Sequence, residues 1–169
     1  MEKNLLDSIK LVSVTFQEMM NLKSGNKILK CFEHQLDIAN LIPEVVIQTA
    51  IKRHMEGEDW FWCAPRIFYS TLLKVMVGSG TFINTLNENK IEIGYGIISP
   101  YEGRGFATAG VACMVKEAFT CKNIEVILAQ TLVENIASAR VLEKNFFIRR
   151  GQWQDEEDGL LILWKYEVR

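Results

Sequence analysis

Histidine occurs only twice, at His34 and His54, and the four cysteines, Cys31, Cys63, Cys113 and Cys121, form no C-x-x-C pair. Zinc sites and disulfide frameworks need closer or more regular spacing, so no metal is expected and the thiols read as free, in a reducing compartment. A histidine-based catalytic triad has little to be built from. A basic excess is also missing. The formal net charge of −2 argues against a chain made to grip nucleic acid. No apolar run is long enough to cross a bilayer. The first residues, Met1 to Ser8, lack a basic stretch followed by an apolar one, so no secretory signal is expected. What is present is apolar material: 49 % of 169 residues, enough for one domain with a full core. These features predict a cytoplasmic protein with no membrane or nucleic-acid partner.

The chain reads as a mixed α/β domain without repeats, low-complexity tracts or long linkers. Ile9 to Val14 suits a first strand, and Thr15 caps a helix from Phe16. The stretch from Asn26 to Asn40 reads as helical. Pro43 fits the first turn of a further helix that ends near Gly57. Strands are predicted over Arg66 to Thr71, Val75 to Ile83 and Lys90 to Ile98, with connections short enough for antiparallel hairpins. A helix from Phe106 to Phe119 follows, with Val111, Met114, Val115, Ala118 and Phe119 on one face. Ile124 to Ala129 reads as a strand reached by a crossover, hence parallel to the one before. Asn135 caps a short helix to about Asn145, and strands over Phe147 to Arg150 and Leu160 to Tyr166 close the chain. The acidic run Asp155 to Asp158 reads as a solvated hairpin turn. Trp60, Phe61 and Trp62 read either as core or as the wall of an acceptor pocket.

The most informative segment runs from Lys90 to Thr108. Ile91, Ile93, Tyr95 and Ile97 fall on one face of its strand, and Glu92, Gly94 and Gly96 on the other. One face is apolar; the other carries an acid beside two positions without side chains, where a ligand can come close. The turn after it sets Gly103 and Gly105 before a helix start, whose free N–H groups and dipole favour an anion.

These residues resemble the GCN5-related N-acetyltransferases, and within them the branch of the ribosomal-protein alanine acetyltransferases. Glu102-Gly103-Arg104-Gly105-Phe106-Ala107 occupies the place of the family's cofactor loop, Gln/Arg-x-x-Gly-x-Gly/Ala. Ile91 to Ile97, Val77 to Phe82 and Asn135 to Lys144 are similar to its other signature segments. The resemblance is strong from Val75 to Phe147 and thin before Trp60. It implies a mostly antiparallel sheet of six to seven strands with helices on both faces and a splayed parallel pair holding the cofactor. Within a single domain, residues 1–60 would shape the substrate side, 66–147 would form the cofactor core and 147–169 would supply the closing strands.

By the same resemblance the co-substrate is acetyl-CoA. Its pantetheine arm would bond backbone near Ile97 and Ile98, and its pyrophosphate would meet the N–H groups of Gly103, Arg104, Gly105, Phe106, Ala107 and Thr108. Arg104 either adds charge there or is a solvated loop residue. Asn135 is both a helix cap and, by resemblance, a residue of the cofactor channel. Glu92 is the expected base, because the attacking amine must be neutral; the alternative is that it only binds a cationic substrate or pairs with a lysine. Ser138 is placed near the sulfur, where it would protonate or stabilise the leaving thiolate. Many relatives use a tyrosine one turn later, but that position is Leu142, which leaves Tyr95 as another choice, although its strand face suits core packing. Glu102 is a further departure, an acid where the loop meets phosphate. The glycine usual before the last signature phenylalanine is Phe146 here, so a left-handed residue is expected at Asn145 instead.

The resulting expectation is transfer of acetyl from acetyl-CoA to a primary amine, on a small molecule or a peptide, by direct attack, in a monomer or homodimer. A non-catalytic acyl-CoA-binding or sensing protein of the same fold is the other reading.

Overall fold

The computed structural model describes residues 8–25, 28–31, 34–37, 41–86, 89–121 and 123–167, with backbone alone at 28–31, 34–37 and 84–86. The chain opens with strand β1 (Ile9–Ser13) and helix α1 (Phe16–Lys23). Thr15 and Glu18 close a reciprocal capping box: the Thr15 hydroxyl accepts from the Glu18 N–H, and the Glu18 carboxylate accepts from the Thr15 N–H at 2.9 Å. Pro43 caps α2 (Glu44–Met55), whose last turn carries Lys52, Arg53 and His54, favourable at the negative end of the helix dipole. A four-residue helix α3 (Trp60–Cys63) leads into β4 (Arg66–Ser70), β5 (Val75–Leu86) and β6 (Lys90–Ile97). After a short 3₁₀ turn come α4 (Phe106–Ala118), β7 (Val126–Leu132), α5 (Ile136–Lys144), β8 (Ile148–Asp155) and β9 (Gly159–Glu167).

Seven strands form one sheet in the order β1-β4-β5-β6-β7-β9-β8. Neighbours are antiparallel except β6 and β7, which run parallel. The parallel pair needs a crossover, and α4 supplies it. The sheet is covered on both faces, which is why β4 is buried at all five positions. Phe68, Phe82, Ile91, Ile93, Phe106, Met114, Leu142 and Trp164 pack on the α4 side. Val14, Met19, Ile47, Ile51, Ile67, Tyr69 and Met76 pack on the α1/α2 side. Arg66 is wholly buried on the α4 side, the face of β4 it shares with Phe68. It donates to Glu117 of α4 at 2.7 Å and to the Ala64 carbonyl at 2.6 Å, and its guanidinium lies over the rings of Phe61 and Phe82.

Three expectations are corrected. The stretch expected to be helical between Asn26 and Asn40 contains two strands instead, β2 (Ile28–Cys31) and β3 (His34–Asp37), paired antiparallel; residues 26–27, 32–33 and 38–40 lie outside the described residues. Segments of four residues are too short to show a helical or strand period, and the two segments satisfy each other's backbone groups. The left-handed residue after α5 is Phe146 (φ 64°), not Asn145 (φ −93°). Asn145 is needed elsewhere: its buried amide donates to the carbonyls of Thr108 and Val141, tying the end of α5 to the start of α4. Phe146 thus takes the position after the cap, with Phe147 N–H bonded to Leu142 O and Phe146 N–H to Glu143 O, the paired bonds of a Schellman motif. Lastly, the strand expected over Ile124 to Ala129 begins at Val126 and continues to Leu132.

Candidate active site

β6 and β7 pair only at Lys90–Val126, Ile91–Ile127 and Glu92–Leu128, yet β6 continues to Ile97 and β7 to Leu132. Beyond Glu92 the two strands splay into a fork through the sheet. On the far edge β6 remains bonded to β5, with Ile98 N–H donating to Val77 O. In the alternating ladder this directs the backbone groups of Tyr95 and Ile97 away from β5 and into the fork. The N–H of Ile98 is already taken.

Glu92 sits at the closed end of the fork and is 8 % exposed. Its Oε1 accepts from Gln130 Nε2 at 2.9 Å, and Gln130 Oε1 accepts from the indole N–H of Trp153 at 3.0 Å. Only one orientation of the Gln130 amide satisfies both partners, so Trp153 on β8 locks the group that holds the Glu92 carboxylate. Sequence reading missed Gln130 and Trp153. The one local signal was Gln130 as the polar interruption in the apolar strand β7.

The loop into α4 bends at Gly103 (φ 69°) and Gly105 (φ 86°), and Gly105 occupies the cap position with no side chain bonding to the helix start. Left-handed backbone here favours glycine, and the first N–H groups of α4 have no carbonyl of a preceding turn to bond. Phe106 is buried and anchors this turn, while Arg104 is exposed with its guanidinium 5.7 Å and 5.4 Å from the ring centroids of Tyr101 and Phe106. Glu102 is exposed beside it. Ala107 and Thr108 are half-buried in the first turn, the Thr108 carbonyl held by Asn145.

Asn135 caps α5, its Oδ1 accepting from Ser138 N–H at 3.0 Å. The Tyr95 hydroxyl donates to the Ser138 carbonyl at 3.1 Å, so this side chain spans from β6 to α5. Burial pushes the Tyr95 phenol up to about 12, which keeps it protonated. Leu142, where relatives carry tyrosine, is fully buried in the core.

Two cavities meet along Ile83, Gly94 and Tyr95. One, about 450 Å³, is lined by Glu92, Gln130, Asn135, Ser138 and Trp153 and by Asp155 and Asp158 of the β8–β9 turn. The acidic run is therefore a turn, as expected, and also a wall of the fork. Asp155 accepts from the N–H groups of Glu157 and Asp158, which hold its carboxyl below the usual range. The other cavity, about 510 Å³, lies between α2 and the outer face of β5 and β6. The rings of Trp60, Phe61 and Trp62 line neither; they pack on Phe16, His54 and Phe82. Among the described residues no cluster of His, Cys, Asp and Glu could hold a metal ion.

A family model described as an acetyltransferase (GNAT) domain matches residues 33–147. A sequence search of curated proteins finds no match. The fold is similar to that of spermidine/spermine N-acetyltransferase SpeG from Vibrio cholerae, at 15 % identity, TM-score 0.67, covering 96 % of this chain and 94 % of that one. It is similar to RimL, a ribosomal L7/L12 alpha-N-protein acetyltransferase in complex with coenzyme A, at 14 % identity, TM-score 0.66, covering 95 % and 94 %. A GNAT-family acetyltransferase from Bacillus anthracis aligns at 17 % identity, TM-score 0.62, covering 95 % of each chain.

Proposed function

The chain belongs to the GNAT acetyltransferase family, and from that premise we propose that it transfers an acetyl group from acetyl-CoA to a primary amine by direct attack. The observation that carries this reading is the carboxylate of Glu92 at the closed end of a fork whose open end faces the uncapped start of α4. The residues fit the co-substrate. The exposed backbone groups of Tyr95 and Ile97 suit the pantetheine amides as an added strand would. The N–H groups from Gly103 to Thr108 suit the pyrophosphate, where a side chain at the glycines would hold phosphate away. Glu102 opposes this with negative charge, so backbone donors carry the site.

Acetyl-CoA supplies a thioester carbonyl. The amine nitrogen bonds to that carbon, the C–S bond breaks, and the amine's proton leaves towards Glu92, directly or through water. Glu92, Asp155 and Asp158 give an ammonium a place to arrive. Reaching the neutral amine at pH 7 costs about 1–1.4 kcal/mol for a peptide α-amine and about 4.6 kcal/mol for an alkylamine resembling lysine. Tyr95 and Ser138 are the candidates to meet the departing thiolate, because both line the cavity that holds Glu92. The neutral phenol of Tyr95 would have to turn its proton from the Ser138 carbonyl to the sulfur, whereas the Ser138 hydroxyl lines the same cavity. Among proteins of similar fold, the amine is spermidine for SpeG and a ribosomal-protein terminus for RimL.

A second reading, binding without turnover, draws on Leu142 and Glu102. One experiment separates the two. Acetyl-CoA at about 100 times its Kd should add about 2.7 kcal/mol of apparent stability, a Tm rise of about 5–10 °C for a domain of this size. Free CoA should then appear when amines are supplied. A Tm rise without CoA release from any amine would favour the sensor, and no rise at millimolar acetyl-CoA would end both readings.

A further inference from the structure

The larger cavity says what kind of amine enters. It lies on the α2 side of the sheet, the face of β6 that carries Glu92, and its walls include Val45, Val46 and Ala50 of α2, Ile83 of β5 and Ile97 and Ile98 at the end of β6. No carboxylate lines it among the described residues. Its one cation among the described residues, Arg53, is already neutralised: Nε donates to Glu58 at 2.6 Å, Nη2 to the other Glu58 oxygen at 2.5 Å, and Nη1 to the Phe82 carbonyl at 2.6 Å. Cys63 adds a thiol that burial pushes up to about 11, hence uncharged. This cavity joins the acidic one at Gly94, next in the chain to Glu92. We infer that the acceptor is a primary amine carrying an apolar body, its amino group in the acidic cavity at Glu92 and its hydrocarbon in the cavity under α2. This rests on the acetyl-transfer reading for the amino group and goes beyond it in naming the body.

The physical argument is complementary on both sides. A second ammonium, as in a polyamine, would lose its water in the apolar cavity without a described carboxylate to replace it. A hydrocarbon there gains with each methylene removed from water. Gly96 controls the space: a Cβ built on it meets no heavy atom within 4 Å, so its face opens into the cavity and not onto packed neighbours.

A homologous series of n-alkylamines from propyl to hexyl, a leucine-first tripeptide and spermidine form the test. Binding is read by calorimetric titration of each amine into the protein alone, and turnover by CoA release with acetyl-CoA. Affinity and kcat/KM should rise by about fourfold per methylene, with hexylamine at least tenfold above spermidine. The tripeptide against hexylamine distinguishes a chain terminus from a free amine of the same chemistry. Gly96→Val should flatten the series and weaken hexylamine tenfold or more, while the acetyl-CoA-induced Tm rise persists and reports that the variant is folded. Chain-length-dependent binding without turnover would keep the apolar acceptor and end the transferase reading. Turnover of spermidine equal to or better than hexylamine, or a flat series, would overturn the inference and leave the transferase reading standing.

Discussion

Glu92 and Phe146 are two residues whose roles can be tested singly. Glu92 is held by Gln130 in a mostly buried site, so Glu92→Gln keeps the shape and removes the basic oxygen. It should lower kcat by about a hundredfold or more while leaving acetyl-CoA affinity nearly intact, as measured by steady-state kinetics beside calorimetric titration. Unchanged turnover across a pH series would remove Glu92 from the role of base. Phe146 is 77 % exposed and sits at φ 64°. Its ring contributes little burial, and left-handed backbone costs a residue with a Cβ about 1–2 kcal/mol. Phe146→Gly should therefore stabilise the protein by about 1 kcal/mol after the added entropy of the unfolded glycine is subtracted, visible as a higher midpoint in urea. The sequence shows the missing glycine at Phe146. It does not show that Asn145 is committed to the carbonyl of Thr108, 37 residues away.

At the scale of elements, the strand–turn–helix from β6 to α4 was legible because each signal is local. Alternation marks the strand, two glycines mark the turn, and an i, i+3, i+4 stripe marks the helix. Gly105→Val places a β-branched residue at φ 86° in the cap of α4. It should cost about 1–3 kcal/mol in stability and weaken acetyl-CoA by at least tenfold, with Gly151→Ala as a control at a glycine whose Cβ would meet nothing within 4 Å. A variant that binds acetyl-CoA as well as the parent would count against the anion cradle. The β2–β3 strand pair was misread for the opposite reason: four-residue strands carry too short a pattern to show their period. The β8–β9 turn was read correctly as a turn, but its approach to the fork depends on β9 pairing with β7 and β8 with β9.

Over the whole molecule, a buried thiol and a half-buried phenol couple folding to alkaline pH among the described residues. Cys63 moves from 9.0 to about 11 and Tyr95 from 10.0 to about 12, both mainly through burial. A raised folded value means that the unfolded chain loses its proton first. The stability these groups contribute is whole below about pH 9, and falls as pH rises towards about 12. Denaturation midpoints should be flat from neutrality to about pH 9 and then decline, with Tyr95→Phe removing the part between about 10 and 12. An unchanged slope in that variant would mean that Tyr95 is solvated in the folded protein.

What the sequence by itself determined is the family, the acid on the strand and the glycine turn before α4, because these are contiguous in the chain and their physics acts within a few residues. Only the tertiary structure decided how Glu92 is held and what surrounds it. The bond from Gln130 spans 38 residues, and the indole bond that locks Gln130 spans 23. The two cavities exist because α2 lies over β5 and β6, and because β6 and β7 part after three paired positions. Such contacts depend on strand order and on where a parallel pair separates, and neither leaves a periodic mark on the chain.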